Sequence, residues 1–186
     1  MLGVDEASPC RLIRTHARVE EVIKASELPY TFVRPNSFMQ NLRSYAGSIA
    51  AEDAFYVPAA DARISHVDAR DVAAVATRAL TEDGHAGKAY EVTGPEALTC
   101  DEVAGLFSAR LGRTIRYVSV PDEGARQGMV AAGLPEWYAD GLVELYQLYR
   151  RQEGAVVTDA VERVTGQQPR TVDAYLAENI GMFKGN

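Results

Sequence analysis

The stretch that most constrains this chain runs Leu28-Pro29-Tyr30-Thr31-Phe32-Val33-Arg34-Pro35-Asn36-Ser37-Phe38-Met39-Gln40-Asn41. Tyr30 to Val33 are aromatic or β-branched, the composition of a short buried strand. Pro35 has no amide proton to donate and predicts the end of that strand. Asn36 or Ser37 is then placed to cap a helix whose first turn is Phe38, Met39 and Gln40. Strand, tight turn and helix form the repeating unit of an open parallel sheet, and ligands bind such sheets at the carboxyl ends of the strands. Taken alone, the stretch is an ordinary structural βα turn.

The rest of the chain continues the alternation. Leu12, Val19, Val22 and Ile23 give 11–26 the apolar stripe of an amphipathic helix, with His16 and Glu20 four apart on one face. Residues 55–57 and 63–67 read as short extended pieces, and Asp68 caps a helix over 69–81. Residues 89–93 form a strand that turns out at Gly94-Pro95. Thr99-Cys100-Asp101-Glu102 is a capping box opening a helix that Gly112 ends, and 114–120 alternates like a strand. After Pro121 the pattern is helical over about 123–132, 136–152, 158–165 and 171–182. The expected architecture is α/β: a partial Rossmann-like parallel region over 1–120, and a mainly helical lobe over 121–186 packing on it.

A net charge of -7 excludes clustered binding to nucleic acid or to an anionic membrane surface, since both need runs of Lys and Arg. No apolar run approaches the roughly 20 residues of a membrane span. Met1 to Cys10 carries Asp5 and Glu6 and no apolar run, so no leader is read there. Cys10 and Cys100 are too few and too far apart for a disulfide framework, which fits a reducing cytoplasm.

No G-x-G-x-x-G and no G-x-x-x-x-G-K-[ST] occurs. Gly84-His85-Ala86-Gly87-Lys88 precedes a strand and cannot aim helix amides at a phosphate. No Tyr is followed four residues later by Lys, no His, Cys, Asp and Glu share metal-ligand spacing, and no G-x-S-x-G elbow is present. His16 with Glu20 is the strongest acid/base pair, because a carboxylate one turn away can orient an imidazole and raise its pKa; a plain surface helix pair has the same spacing. His66 reads as structural. Trp137, Tyr138, Tyr146 and Tyr149 line one helix, either as core or as the wall of an apolar pocket.

Taken as a series, four spaced stretches carry a resemblance over nearly the whole chain: His16-x-x-x-Glu20, Tyr30 to Asn41, Val67-Asp68-Ala69-Arg70-Asp71-Val72-Ala73, and Tyr90-x-Val92-Thr93-Gly94-Pro95-Glu96-Ala97-Leu98-Thr99. They resemble the NmrA-like, atypical short-chain dehydrogenase/reductase family, and within it the azo-dye and triphenylmethane reductase branch. The resemblance implies a Rossmann-type sheet, an NAD(P)H cofactor, and a C-terminal part that forms the substrate lobe. It places Pro35, Asn36, Ser37 and Phe38 near the nicotinamide, and that branch also lacks the Tyr/Lys pair. Met39, Tyr56, Trp137 and Tyr138 are expected to wall a pocket for a small apolar or aromatic substrate.

The family opens with a glycine-rich turn for the pyrophosphate, and this sequence has none. Met1 aligns with about the end of the fifth strand, so roughly a hundred residues of a Rossmann chain have no counterpart here. The expectation is a family member without its phosphate-binding half, binding NAD(P)H by itself no tighter than about millimolar. A cofactor-independent cyclase or isomerase using the same pocket, and a non-catalytic regulatory protein, are the alternatives. A strand edge left open predicts a homo-oligomer, most simply a dimer.

Overall fold

The computed structural model describes residues 1–185. In it, the stretch from Tyr30 onward becomes β1 (Thr31–Pro35), preceded by α1 (Arg11–Ala25). β1 pairs in parallel with β3 (Lys88–Val92), Val33 opposite Tyr90. Pro35 ends the strand because only its carbonyl can join the ladder; that oxygen accepts from the Leu2 amide at 2.9 Å. A second parallel pair joins β2 (Ala54–Val57) to β4 (Arg116–Ser119). The expected parallel α/β pattern is therefore present, as two separate two-stranded sheets among the described residues.

The segment after β1 departs from expectation. Asn36 does not cap a helix; its side chain turns inward. Phe38 occupies the cap position without a side-chain bond, and the first turn is a 3₁₀ helix, Met39–Tyr45, which passes into α2 (Ala46–Glu52). Residues 63–67 do not form a strand either. Their amides each find a different partner: Ile64 bonds Leu98, Ser65 bonds Gly154, His66 folds back on Ile64, and Val67 bonds Ser37. Two isolated bridges, Ile64 to Leu98 and Phe38 to Val67, stand where a ladder was expected. A segment that changes partner at every residue cannot keep one register.

The helices follow the sequence closely. Asp68 accepts from the Arg70 amide at 2.8 Å and caps α3 (Ala69–Thr81). Thr99 and Glu102 form the full capping box of α4 (Cys100–Leu111), and Gly112 ends it at φ 68°. Beyond come α5 (Asp122–Ala131), α6 (Glu136–Arg150), α7 (Ala160–Thr165), α8 (Val172–Asn179) and a closing 3₁₀ turn. The segment after Pro121 shares the core of the rest. Tyr149, Val172, Tyr175, Leu176 and Phe183 pack with Phe55, Phe107, Ile49 and Met39. Ala160 and Val161 pack with Val67, Val75 and Val92. α6 also lies on α1, where Arg11 grips Glu144 at 2.7 Å.

Gly94 shows how tightly the 64–67 segment is set. A Cβ there would lie 2.0 Å from the His66 carbonyl oxygen, and backbone cannot yield as a side chain can. Gly94→Ala is expected to cost about 3 kcal/mol, read as a lower urea midpoint at unchanged slope. Gly105 sits inside α4 with open space around it, so Gly105→Ala is expected to raise stability by up to about 1 kcal/mol.

Candidate functional site

The turn after β1 lies where a parallel strand ends, and a cavity of about 450 Å³ opens there. One wall is α1, through Leu12, His16, Val19 and Glu20; the floor is β1 and the turn Pro35, Asn36, Ser37 and Phe38; the facing wall is α6, through Tyr138, Leu142, Leu145 and Tyr149. The lining is mostly apolar with a few convergent polar groups, the usual make-up of a small-molecule site. Eight of the residues singled out from sequence thus meet at one cavity: His16, Glu20, Pro35, Asn36, Ser37, Phe38, Tyr138 and Tyr149.

Four others do not line it; one of them, Tyr146, faces a smaller chamber behind the turn. Met39 is fully buried in the main core, beneath Gly94. Tyr56 points outward from β2 and donates its hydroxyl proton to Glu52. Trp137 is 52% exposed, one residue before Tyr138 on α6. Alternation explains Tyr56, since its neighbours Phe55 and Val57 take the core side of the strand.

The expected His16–Glu20 pair is also rearranged. Glu20 is held by Arg34 of β1 through two bonds, 2.9 Å from Nε and 2.5 Å from Nη2. This fork is the strong geometry for a carboxylate, and it leaves Glu20 bound to strand instead of to the imidazole. Burial lowers the His16 pKa, the Met1 ammonium lowers it further, and Glu20 opposes only weakly. His16 is therefore a neutral imidazole at pH 7, contrary to the rise expected from its neighbour.

Asn36 is the anchor of the turn. Its Nδ2 donates to Ser65 Oγ at 2.8 Å and to the Gly154 carbonyl at 2.9 Å, and its Oδ1 accepts from the Tyr149 hydroxyl at 3.3 Å. Gly154 is required there, because a Cβ would meet the Tyr149 ring at 2.5 Å. Burial pushes the Tyr149 phenol well up, so it stays protonated as the donor.

Behind the turn lies a second, smaller chamber of about 80 Å³, which shares Ser37, Asn41, Leu142, Leu145 and Tyr149 with the outer cavity. His66 lines it. From the sequence His66 reads as structural; the one available signal was a histidine in the short extended stretch between Ile64 and Val67. Its Nδ1 is buried without a hydrogen-bond partner, and burial lowers its pKa to about 4. Cys100 also faces this chamber, with burial pushing its thiol up to about 12, so it is inert as a nucleophile. Among the described residues no group of His, Cys, Asp or Glu could hold a metal ion, and no helix is long and apolar enough to cross a membrane.

Residues 11–176 match the NmrA-like family. The chain belongs to the NmrA-like family. It is 41% identical over 182 residues to an NAD(P)H azoreductase of Xenophilus azovorans, a match covering 98% of this chain and 64% of that protein. Among solved structures it is similar to an NADPH-dependent quinone oxidoreductase of Escherichia coli, with a TM-score of 0.85 and 23% identity, covering 94% of this chain and 64% of the other. It is also similar to the Citrobacter sp. triphenylmethane reductase complexed with NADP(H), with a TM-score of 0.75 and 25% identity, covering 92% of this chain and 61% of the other. The chain thus spans less than two thirds of the length of each. The fold is Rossmann-like, as the parallel βα units anticipated.

His66 gives this site a pH signature. The unfolded chain binds a proton on the ring near pH 6.5, and the folded protein only near pH 4. The unfolded state therefore holds more protons in this window, so stability rises with pH across it. Stability is intact above pH 6.5 and is expected to fall by up to about 3 kcal/mol on acidification through pH 4. Denaturant melts of His66→Leu should show that slope removed between these pH values.

Proposed function

We propose that this chain forms the substrate side and the nicotinamide-facing wall of an NAD(P)H-dependent reductase of small apolar or aromatic molecules. The observation that carries the reading is the convergence of the Pro35–Phe38 turn with α1 and α6 on one largely apolar cavity. The likeness to an NAD(P)H azoreductase over nearly the whole chain supports the redox class.

The residues present fit the nicotinamide end of the cofactor. Pro35 and Phe38 offer apolar surface and Ser37 a hydroxyl at the mouth of the inner chamber. They do not offer a grip for the pyrophosphate, since among the described residues no glycine turn opens a helix toward this cavity. When bound, the dinucleotide supplies hydride. The chain's own part is to hold an aromatic substrate against Leu142, Leu145 and Tyr138 and to keep water away from it. His16 is neutral and Glu20 is held by Arg34, so positioning and exclusion of water are the assigned roles, with His16 lining the cavity as a neutral imidazole.

The outer edge of β1 meets only Leu2 among the described residues. An open edge of this kind supports the pairing of two copies as a dimer. Light scattering at micromolar concentration is expected to give twice the chain mass, and a monodisperse monomer would contradict it.

The test of function is a reductase assay on the 186-residue chain with an azo dye. Dye bleaching is expected to depend on NADPH and to rise linearly into the millimolar range, because the phosphates gain little anchoring. Tyr138→Ala should weaken dye binding about fivefold, a loss of about 1 kcal/mol of aromatic contact. Saturation at micromolar NADPH would overturn the weak anchoring of the phosphates, bleaching that does not depend on NADPH would overturn the cofactor assignment, and failure to bind any dye would overturn the substrate assignment.

A further inference from the structure

We propose that the inner chamber is a hydrogen-bonding subsite for the carbonyl oxygen of an aromatic ketone, with Nε2–H of His66 as the donor. The inference rests on the reading of the outer cavity as an aromatic site and specifies the functional group it selects.

His66 is only 8% exposed, yet its ring lines the chamber. Nδ1 is the enclosed nitrogen, buried and without a partner. Nε2 is not so enclosed and makes no hydrogen bond to the protein among the described residues, and since His66 lines the chamber the proposed donor is this nitrogen, turned toward it. A neutral imidazole carries one N–H. Burying an N–H with no acceptor is the rarer and costlier orphan, whereas a bare lone pair is better tolerated. The proton therefore belongs on Nε2, where it can be used. The backbone that carries the ring is fixed, because Gly94 packs on the His66 carbonyl and the His66 amide bonds Ile64 at 3.1 Å.

Size and charge set the ligand class. A chamber of about 80 Å³ admits a carbonyl group or a water, and the fused ring behind it belongs in the outer cavity of about 450 Å³. No Lys or Arg lines the chamber. A carboxylate or phosphate would be buried there without a counter-charge, at a high desolvation cost. A neutral carbonyl oxygen meets the N–H without that cost.

The experiment compares 1-tetralone with tetralin, which share a ring system and differ by the carbonyl oxygen. Both are titrated into the 186-residue chain, and the His66 imidazole is followed by nitrogen-15 NMR. Tetralone should shift the Nε2 signal and tetralin should not. His66→Leu should weaken tetralone about tenfold, the loss of one buried hydrogen bond, and leave tetralin within about twofold. His66→Gln, whose amide nitrogen reaches the position of Nε2, should restore most of the tetralone affinity, and His66→Asn should not. Equal losses for both ligands in His66→Leu, or an unmoved Nε2 signal, would overturn the subsite. If neither ligand binds the parent chain, the aromatic-cavity reading itself fails. If both bind it equally and His66→Leu changes neither, only the His66 subsite fails.

Discussion

The side-chain amide of Asn36 ties the turn after β1 to the bridging segment of the inner chamber and to α6, a wall of both cavities. It holds the turn after β1 to Ser65 of the bridging segment and to Gly154 beyond α6, and it accepts the phenolic proton of Tyr149 on α6 itself. Each of these groups is buried, so each would be costly to leave alone. The backbone repeats the connection, with Asn36 donating to Val92 and Ser65 donating to Gly154. The position of α6 over β1, and hence the width of the outer cavity, depends on this network more than on any apolar contact, because hydrophobic packing is not directional.

Electrostatics works around the same frame. Arg34 holds Glu20 of α1 against β1, and Arg11 holds Glu144 and Asp140 of α6 against α1. Farther off, Arg170 reaches back through its amide and guanidinium to the buried Asp71 of α3. These pairs fix orientations between elements distant in sequence, and those that are largely buried would be costly to break on one side. The consequence for chemistry is that the carboxylate near His16 is already committed. What the cavities offer a ligand is an apolar surface, two neutral imidazoles and a set of protonated phenols, an environment suited to a neutral aromatic molecule.

Local features were legible in the sequence. The capping box at Thr99 and Glu102, the cap at Asp68 and the helix stop at Gly112 are governed by residues within four positions, and all appear as read. The β1 turn was legible as a place where a cavity could open, through its position at the end of a parallel strand. What escaped the sequence was long-range. Arg34 takes Glu20 away from His16 across fourteen positions, and no helical spacing reports that. Residues 63–67 have strand composition, but their partners lie at 37, 98 and 154, so the register is decided by tertiary packing. The unpartnered nitrogen of His66 is likewise a feature that spacing cannot show.

The most direct measurement of the account is the stability and ligand binding of Asn36→Ala. That variant leaves the Tyr149 hydroxyl without its acceptor and frees the β1 turn from Gly154. Denaturant unfolding is expected to show a loss of about 2 kcal/mol, and the folded variant is expected to lose affinity for apolar aromatic ligands because α6 no longer keeps its distance from the turn. Unchanged ligand affinity together with a loss below about 0.5 kcal/mol would show that Asn36 does not hold the site together.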